Sequence, residues 1–146
     1  MYKYIENGIG KVGLHDCRTN HISYADEIFS VDFPEGFYIL NKSEPNRSGK
    51  AKMQCHIIDE DIDGISAYIY KKNVFGKVIR DDWTDTFVSA VNDGTFEFEF
   101  VNTYNGYQCI LFKGYVWFDK KPYHRECEIE LHTDQITYMW NDFLLI

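Results

Sequence analysis

The sequence predicts a mainly β protein, built as an antiparallel β-sandwich or a strongly curved sheet with one short helix. Apolar and polar residues alternate in several segments, most clearly at 95–101, where three phenylalanines fall on one side of the backbone and two glutamates on the other. Aromatic residues make up 17% of the chain, and such side chains suit pleated, half-buried surfaces. Both observations favour strands over helices.

Length and composition predict one cytoplasmic domain spanning residues 1–146. A chain of 146 residues buries a substantial core but is short for two ordinary domains. The sequence has neither a secretory leader pattern nor a run of about 18 apolar residues. The four cysteines form no Cys-x-x-Cys pair, and Cys55 and Cys127 fall on apolar faces, which predicts reduced core thiols.

About nine or ten strands are predicted along the chain. The segments at 22–24, 29–33 and 37–39 indicate a meander with a tight reversal at 34–36, and polar residues at 41–52 indicate an exposed loop. A strand pair is predicted around 59–64. The two strands of this pair lie at 52–58 and 65–70. Further strands are expected at 2–6, 95–101, 108–118, 125–131 and 136–140.

The segment at 82–91 breaks the alternation and predicts the one short helix. Its apolar residues fall four or five positions apart, and Gly94 follows as a residue that commonly ends helices. The dipeptide Asn105-Gly106 favours a hairpin turn. It leads into a central strand at 108–118 that is apolar on both sides. Residues 143–146 form an apolar tail that must dock or associate.

Gly8, Gly10 and Gly13 match the spacing of a dinucleotide-binding fingerprint, and Asp32 lies at the distance of a ribose-binding acid. That fingerprint requires a helix that opens at the third glycine, whereas the residues that follow alternate as strands do. We therefore predict no cofactor.

Asp59, Asp61, Asp63 and Gly64 match the first half of a calcium-binding loop. Tyr70 stands where such a loop supplies its bidentate glutamate, so the pattern favours a plain turn, with weak calcium binding as the alternative.

The histidines match no catalytic or metal-binding pattern. His15, Cys17 and His21 could cluster in space, but their spacing matches no zinc site, and hydrogen-bonded structural histidines are the more common case. His56, His124 and His132 are scattered along the chain. The sequence therefore predicts no catalytic and no metal-binding residues, although an enzyme without a recognisable motif is left open.

One surface is predicted to bind a partner. If the C-terminal strands form a meander, five glutamates flank the outward side of the strand at 108–118, with Ile110 and Phe112 as an apolar strip between them. The net charge of −8 disfavours nucleic acid. Such acidity either keeps a small protein soluble or steers a basic protein partner toward it. The alternative is that the helix at 82–91 covers this strip. The five glutamates are Glu97, Glu99, Glu126, Glu128 and Glu130.

The opening Leu14-His15-Asp16-Cys17, followed by Ile22 and a strand at 28–33, resembles small bacterial β-rich proteins grouped with the immunity protein 50 type of polymorphic toxin systems. The resemblance covers about the first 40 residues. Proteins of that kind are thought to neutralise a cognate toxin by binding it, so the resemblance implies no catalysis and no cofactor. It transfers no functional residue.

The expected function is thus non-catalytic binding to another macromolecule in the cytoplasm. Toxin neutralisation by direct contact is the most specific version, and the resemblance implies it. The alternative is a small-ligand or carbohydrate-binding β module that uses the faces of Trp83, Trp117 and Trp140.

Overall fold

The computed structural model describes residues 1–8, 10–40, 46–59 and 64–143. This part of the chain contains 14 strands and one helix, and every strand pair is antiparallel. The elements are β1 (Tyr4–Asn7), β2 (Val12–Gly13), β3 (Cys17–Thr19), β4 (His21–Ala25), β5 (Ile28–Phe33), β6 (Tyr38–Ile39), β7 (Asn46–Arg47), β8 (Ala51–Ile57), β9 (Ile65–Lys72), β10 (Val78–Asp82), α1 (Phe87–Asn92), β11 (Glu97–Gly106), β12 (Cys109–Trp117), β13 (His124–Leu131) and β14 (Thr133–Trp140).

Two large sheets form an antiparallel β-sandwich. The five-stranded sheet has the order β1-β14-β8-β5-β4 and the six-stranded sheet has the order β10-β9-β13-β12-β11-β3, while β2, β6 and β7 form a small third sheet. The prediction of a mainly antiparallel β fold with one short helix is confirmed. Strand segments as short as two residues account for a count above the predicted nine or ten.

The core lies between the inner faces of the two large sheets. Phe33 of the five-stranded sheet packs against Phe100 of the six-stranded sheet, with ring centroids 5.3 Å apart. Phe98, Phe100 and Phe112 are at most 1% exposed, and Cys55 and Cys127 are equally buried, which confirms them as core thiols. Alternation along each strand therefore produces this core, as the sequence predicts.

The predicted hairpin around 59–64 is wrong. β8 pairs with β14 and β5 in the five-stranded sheet, whereas β9 pairs with β13 and β10 in the other sheet. The chain therefore crosses from one sheet to the other between β8 and β9. The sequence does not predict this crossing, because alternation specifies which face of a strand is buried but not which strand lies beside it.

Two further strand reversals differ from the prediction. The turn at 34–36 is present, with the Gly36 N–H donating to the Phe33 carbonyl at 3.0 Å, but β6 pairs with β2 and β7 rather than with β5. In the β11–β12 hairpin, pairing continues through Gly106 and Cys109, so the turn lies at 107–108 rather than at Asn105-Gly106. Strand pairing overrides the local preference of that dipeptide.

The helix is confirmed but is shorter than predicted. α1 has six residues, because 84–86 form a turn in which the Trp83 carbonyl accepts the N–H groups of Thr86 and Phe87. It lies at the edge of the sandwich beside β4, where the Asn92 amide bonds both the N–H and the carbonyl of Ile22, at 2.9 and 2.7 Å. Among the described residues, no helix is long and apolar enough to cross a membrane.

Candidate functional site

The strand β12 presents a different set of side chains outward from the predicted one. Ile110 and Phe112 are 1% and 0% exposed and belong to the core, so their prediction as an outward apolar strip is wrong by one residue. Side chains alternate between the two faces of a strand, and one position of error exchanges the faces. The partly or fully exposed residues of β12 are Cys109, Leu111, Lys113, Tyr115 and Trp117.

The five predicted glutamates do flank β12. β11 and β13 are its neighbours, and the register places Glu97 and Glu99 on one side and Glu126, Glu128 and Glu130 on the other. Their side chains share the outward face of the six-stranded sheet with Tyr115 and Trp117, and we call this surface the outer face.

The alternative that the helix covers this surface is wrong. The buried residues of α1 are Phe87, Ala90 and Val91, and Phe87 packs on the inward-pointing Phe98 with ring centroids 6.0 Å apart. α1 therefore closes the edge of the core, and Lys113 and Glu126 of the outer face are exposed.

Aromatic side chains are concentrated on the outer face. In the described strands of the five-stranded sheet, the register gives the outward positions to polar or aliphatic side chains such as Lys52, Gln54 and Met139. The corresponding positions of the six-stranded sheet carry five rings besides histidine. They are Tyr68, Tyr70, Tyr104, Tyr115 and Trp117. This asymmetry makes the outer face the candidate functional site.

Tyr115, Trp117 and His124 form a contiguous cluster that we call the aromatic strip. The Trp117 and His124 rings lie 4.9 Å apart at 37°, and Tyr115 meets His124 edge-on at 5.3 Å. On the other side, the Arg18 guanidinium lies 4.5 Å from the centre of the Trp117 ring. The Trp117 indole N–H donates to Glu99 at 2.7 Å. These contacts hold the strip in a fixed arrangement.

The glutamates of the outer face fall into two groups. Glu99 is held by Trp117 and lies 3.9 Å from Arg18, while Glu128 forms an ion pair with Lys113 at 3.3 Å. Glu97 and Glu126 are exposed and have no hydrogen-bond or ion-pair partner within the described ranges. They pair with Trp117 and Tyr115 respectively, so one free carboxylate borders the aromatic strip on each side.

A cleft of about 700 Å³ lies beside the aromatic strip. It is lined by side chains of four strands and of the β12–β13 connection, among them Tyr70, Val78, Tyr115, Pro122 and His124. Burial and a hydrogen bond to Glu128 raise the pKa of Tyr70, which therefore keeps its proton at neutral pH. Apolar, hydroxyl and imidazole groups line the cleft together with the charged side chains of Lys71, Lys72, Arg125 and Glu126.

The charge of the molecule is distributed unevenly. The segments 71–80 and 118–125 carry seven of the 15 lysines and arginines but only one of the 23 acidic residues. Both segments contribute to the same cleft, so they meet at one end of the outer face. The β9–β10 hairpin there also exposes Val74 and Phe75, which are 93% and 90% exposed. A basic rim thus borders an otherwise acidic molecule.

The three tryptophans named for a carbohydrate site do not lie together on one platform. Trp140 is 8% exposed and stacks on Tyr4, and Trp83 packs against Phe96 at the margin of the core. Only Trp117 lies on the outer face, where Arg18 and His124 contact its ring.

The remaining predicted clusters are placed as follows. Cys17 is buried and its thiol donates weakly to the backbone carbonyl of His15, while His21 bonds Asp32 at 2.9 Å, so these residues form no shared ligand set. Of the possible calcium loop, Asp59 lies 3.4 Å from His132. Asp61 and Asp63 lie outside the described residues, as does most of the apolar tail at 143–146.

His56 predicts a pH dependence of stability. Its ring nitrogens lie 2.7 Å from Asp134 and 3.2 Å from Glu27, and these two carboxylates raise the pKa of His56 above its ordinary value. Because the folded-state pKa is the higher one, the stabilisation is complete below the unfolded pKa of about 6.5 and is lost as pH rises through the folded-state value.

We therefore expect His56→Gln to lower the melting temperature more at about pH 6 than at about pH 8.5, because the stabilisation decreases as pH rises through the raised folded-state pKa of His56. Thermal unfolding of both proteins across this pH range measures the difference. A melting-temperature difference that does not change with pH would contradict the ion-pair contribution.

The chain was compared with known proteins in three ways. It matches no protein-family model, no curated protein and no solved structure.

Proposed function

We propose that the protein is a non-catalytic, cytoplasmic binding protein that holds a basic protein partner on the outer face of its six-stranded sheet. One observation carries this proposal. Among the residues that the structure describes, nothing covers the aromatic strip, and the carboxylates of Glu97 and Glu126, which have no partner there, border it on both sides. Aromatic anchors surrounded by charged groups are typical of protein-binding surfaces.

The side chains of the strip suit lysine or arginine on the partner. A cation placed over Tyr115 would gain a cation–π contact of about 0.5–2 kcal/mol, and Glu126 on the neighbouring strand would pair with the same charge. The strip is already held by Arg18, Glu99 and His124, so little side-chain entropy is lost on binding.

Charge also determines how the partner approaches. The net charge of −8 attracts a basic protein at long range, whereas the basic rim at 71–80 and 118–125 repels it locally. A basic partner would therefore dock with its positive surface toward the glutamates and away from the β9–β10 hairpin.

In its most specific form, the partner is a cognate toxin, the function that the resemblance to immunity proteins implies. This form is tested by expressing the product of the adjacent reading frame alone and together with this chain. We expect growth arrest by that product alone, rescue by co-expression and co-purification of the two proteins. A product that is harmless alone and does not co-purify would overturn the toxin-neutralising form.

The surface itself is tested in the same assay with matched variants. We expect Tyr115→Ala and the double variant Glu97→Lys/Glu126→Lys each to weaken binding at least about tenfold, because they remove an anchor or reverse both free charges. Gln54→Ala, on the outward side of the other sheet, is the control and should bind as the wild type does. Equal binding by all of these proteins would exclude the outer face as the interface.

The contacts that other side chains make with the Trp117 ring also favour a protein partner over a sugar. Carbohydrate platforms need an open ring face, whereas Arg18 and His124 contact this ring from strands on its two sides. We expect the tryptophan fluorescence to stay unchanged on titration with oligosaccharides, and a saturable shift would instead favour the carbohydrate module.

A further inference from the structure

A thiol, a carboxylate and an imidazole converge at the opposite end of the outer face from the basic rim. Cys109 begins β12, and the register that pairs Ile110 with Leu131 brings it opposite His132. His132 follows directly after the last residue of β13, and its Nε2 lies 3.4 Å from the Glu130 carboxylate. Within the described ranges, this is the single group of three or more potential metal ligands whose donor atoms all lie within 4.8 Å of one another.

Two of the three donor–donor distances in this cluster match the edges of a tetrahedral metal site. The Glu130 carboxylate oxygen lies 3.4 Å from His132 Nε2 and 3.6 Å from Cys109 Sγ. Zinc bonds of about 2.0–2.1 Å to nitrogen and oxygen and about 2.3 Å to sulfur imply, at tetrahedral angles, N–O edges of about 3.3 Å and S–O edges of about 3.5 Å. The two edges that involve Glu130 therefore already have the length of a tetrahedral site, and the Cys109 and His132 donor atoms lie within 4.8 Å of each other.

His132 is oriented as metal-binding histidines commonly are. Its Nδ1 lies 3.4 Å from the Asp59 carboxylate, which leaves Nε2 directed at Glu130. A carboxylate that accepts the second ring N–H fixes the tautomer and raises the basicity of the ligating nitrogen. The backbone of His132 is held by the Ile58 N–H and the Gly64 carbonyl, both at 2.8 Å.

We propose that Cys109, Glu130 and His132 bind one divalent transition-metal ion of the zinc class, with Asp59 orienting His132. This site goes beyond the proposed binding function and does not depend on it. Sulfur and imidazole ligands select zinc-like ions over calcium and magnesium, which take oxygen ligands. The side chains of Glu130 and His132 are 44% and 32% exposed, so the ion has access from solvent.

Binding of the metal would displace the thiol proton. Partial burial and the Glu130 carboxylate raise the pKa of Cys109, so the free thiol is protonated at neutral pH. A bound cation stabilises the thiolate instead, and one proton is released to solvent for each ion that binds.

The site is tested by titrating the purified, reduced wild-type protein with cobalt(II) and then with zinc. We expect one equivalent of cobalt to produce the visible absorption of a tetrahedral ion together with a thiolate-to-metal charge-transfer band, and zinc to displace it. An excess of calcium should leave the spectrum unchanged. A weak octahedral spectrum without the charge-transfer band would overturn the proposal.

Variants assign the ligands. Cys109→Ser is expected to abolish the charge-transfer band, and Asp59→Asn to weaken zinc binding by about 10- to 100-fold. His56→Gln is the matched control, because His56 also lies between two carboxylates but has no thiol beside it. Circular dichroism establishes that each variant is folded. Unchanged zinc affinity in folded Cys109→Ser, or an equal loss in His56→Gln, would contradict the assignment.

Discussion

Replacing Phe100 by alanine is expected to lower the free energy of unfolding by about 3–5 kcal/mol, the usual cost of removing a buried phenylalanine ring. Phe100 is 1% exposed. Its ring centroid lies 5.3 Å from that of Phe33 in the opposite sheet and 4.7 and 5.1 Å from those of Phe98 and Phe112 in its own. The alanine variant would therefore leave a cavity between the two sheets at the centre of the core.

Urea denaturation monitored by circular dichroism measures this loss. Glu97→Ala, an exposed position on the same strand, is the control and should change stability by no more than about 0.5 kcal/mol. A loss below about 1 kcal/mol for Phe100→Ala would mean that the ring is not packed between the sheets.

Gly114→Ala is expected to destabilise the fold by about 3 kcal/mol or more, at or above the upper end of the usual cost of overpacking. Gly114 lies in the central strand β12 opposite Phe100, next to the β-bulge between Phe100 and Asn102. A Cβ atom at this position would overlap the backbone carbonyl oxygen of Glu99, which belongs to the neighbouring strand and cannot rotate away. β11 and β12 would have to separate beneath the aromatic strip.

The matched control is Gly106→Ala in the same hairpin. A Cβ atom there meets nothing closer than 3.8 Å, so its effect on stability is expected to be small. Equal urea midpoints for the two variants would show that β11 and β12 do not approach each other closely at Gly114.

The fold class could be predicted from the sequence because burial has a direct sequence signal. Phe98 and Phe100 alternate with Glu97 and Glu99, and the structure places the rings in the core and the carboxylates outside. Strand pairing has no comparable signal. β8 and β9 are neighbours in the chain, yet they belong to different sheets, because their partners come from distant segments.

The pattern at 108–118 predicts the strand β12, but the face of β12 that was expected to meet solvent is the one buried in the core. Lys113 could have indicated the correct face, because a lysine in an otherwise apolar strand usually lies on the solvent side. Tyr115 and Trp117 follow it at two-residue spacing and therefore lie on the same face. The cluster of Cys109, Glu130 and His132 could be predicted only in part from the sequence. Glu130 and His132 stand two residues apart in the sequence at the end of β13, but only the β12–β13 register brings Cys109 to them.

Hydroxyl-radical footprinting of the complex with the co-purified partner tests the outer face most directly, because tyrosine and tryptophan side chains react readily when solvent reaches them. We expect partner binding to protect Tyr115 and Trp117 from oxidation while Met139, on the outward side of the five-stranded sheet, stays as reactive as in the free protein. Protection of Met139 with unchanged oxidation of Tyr115 and Trp117 would contradict a partner docked on the six-stranded sheet.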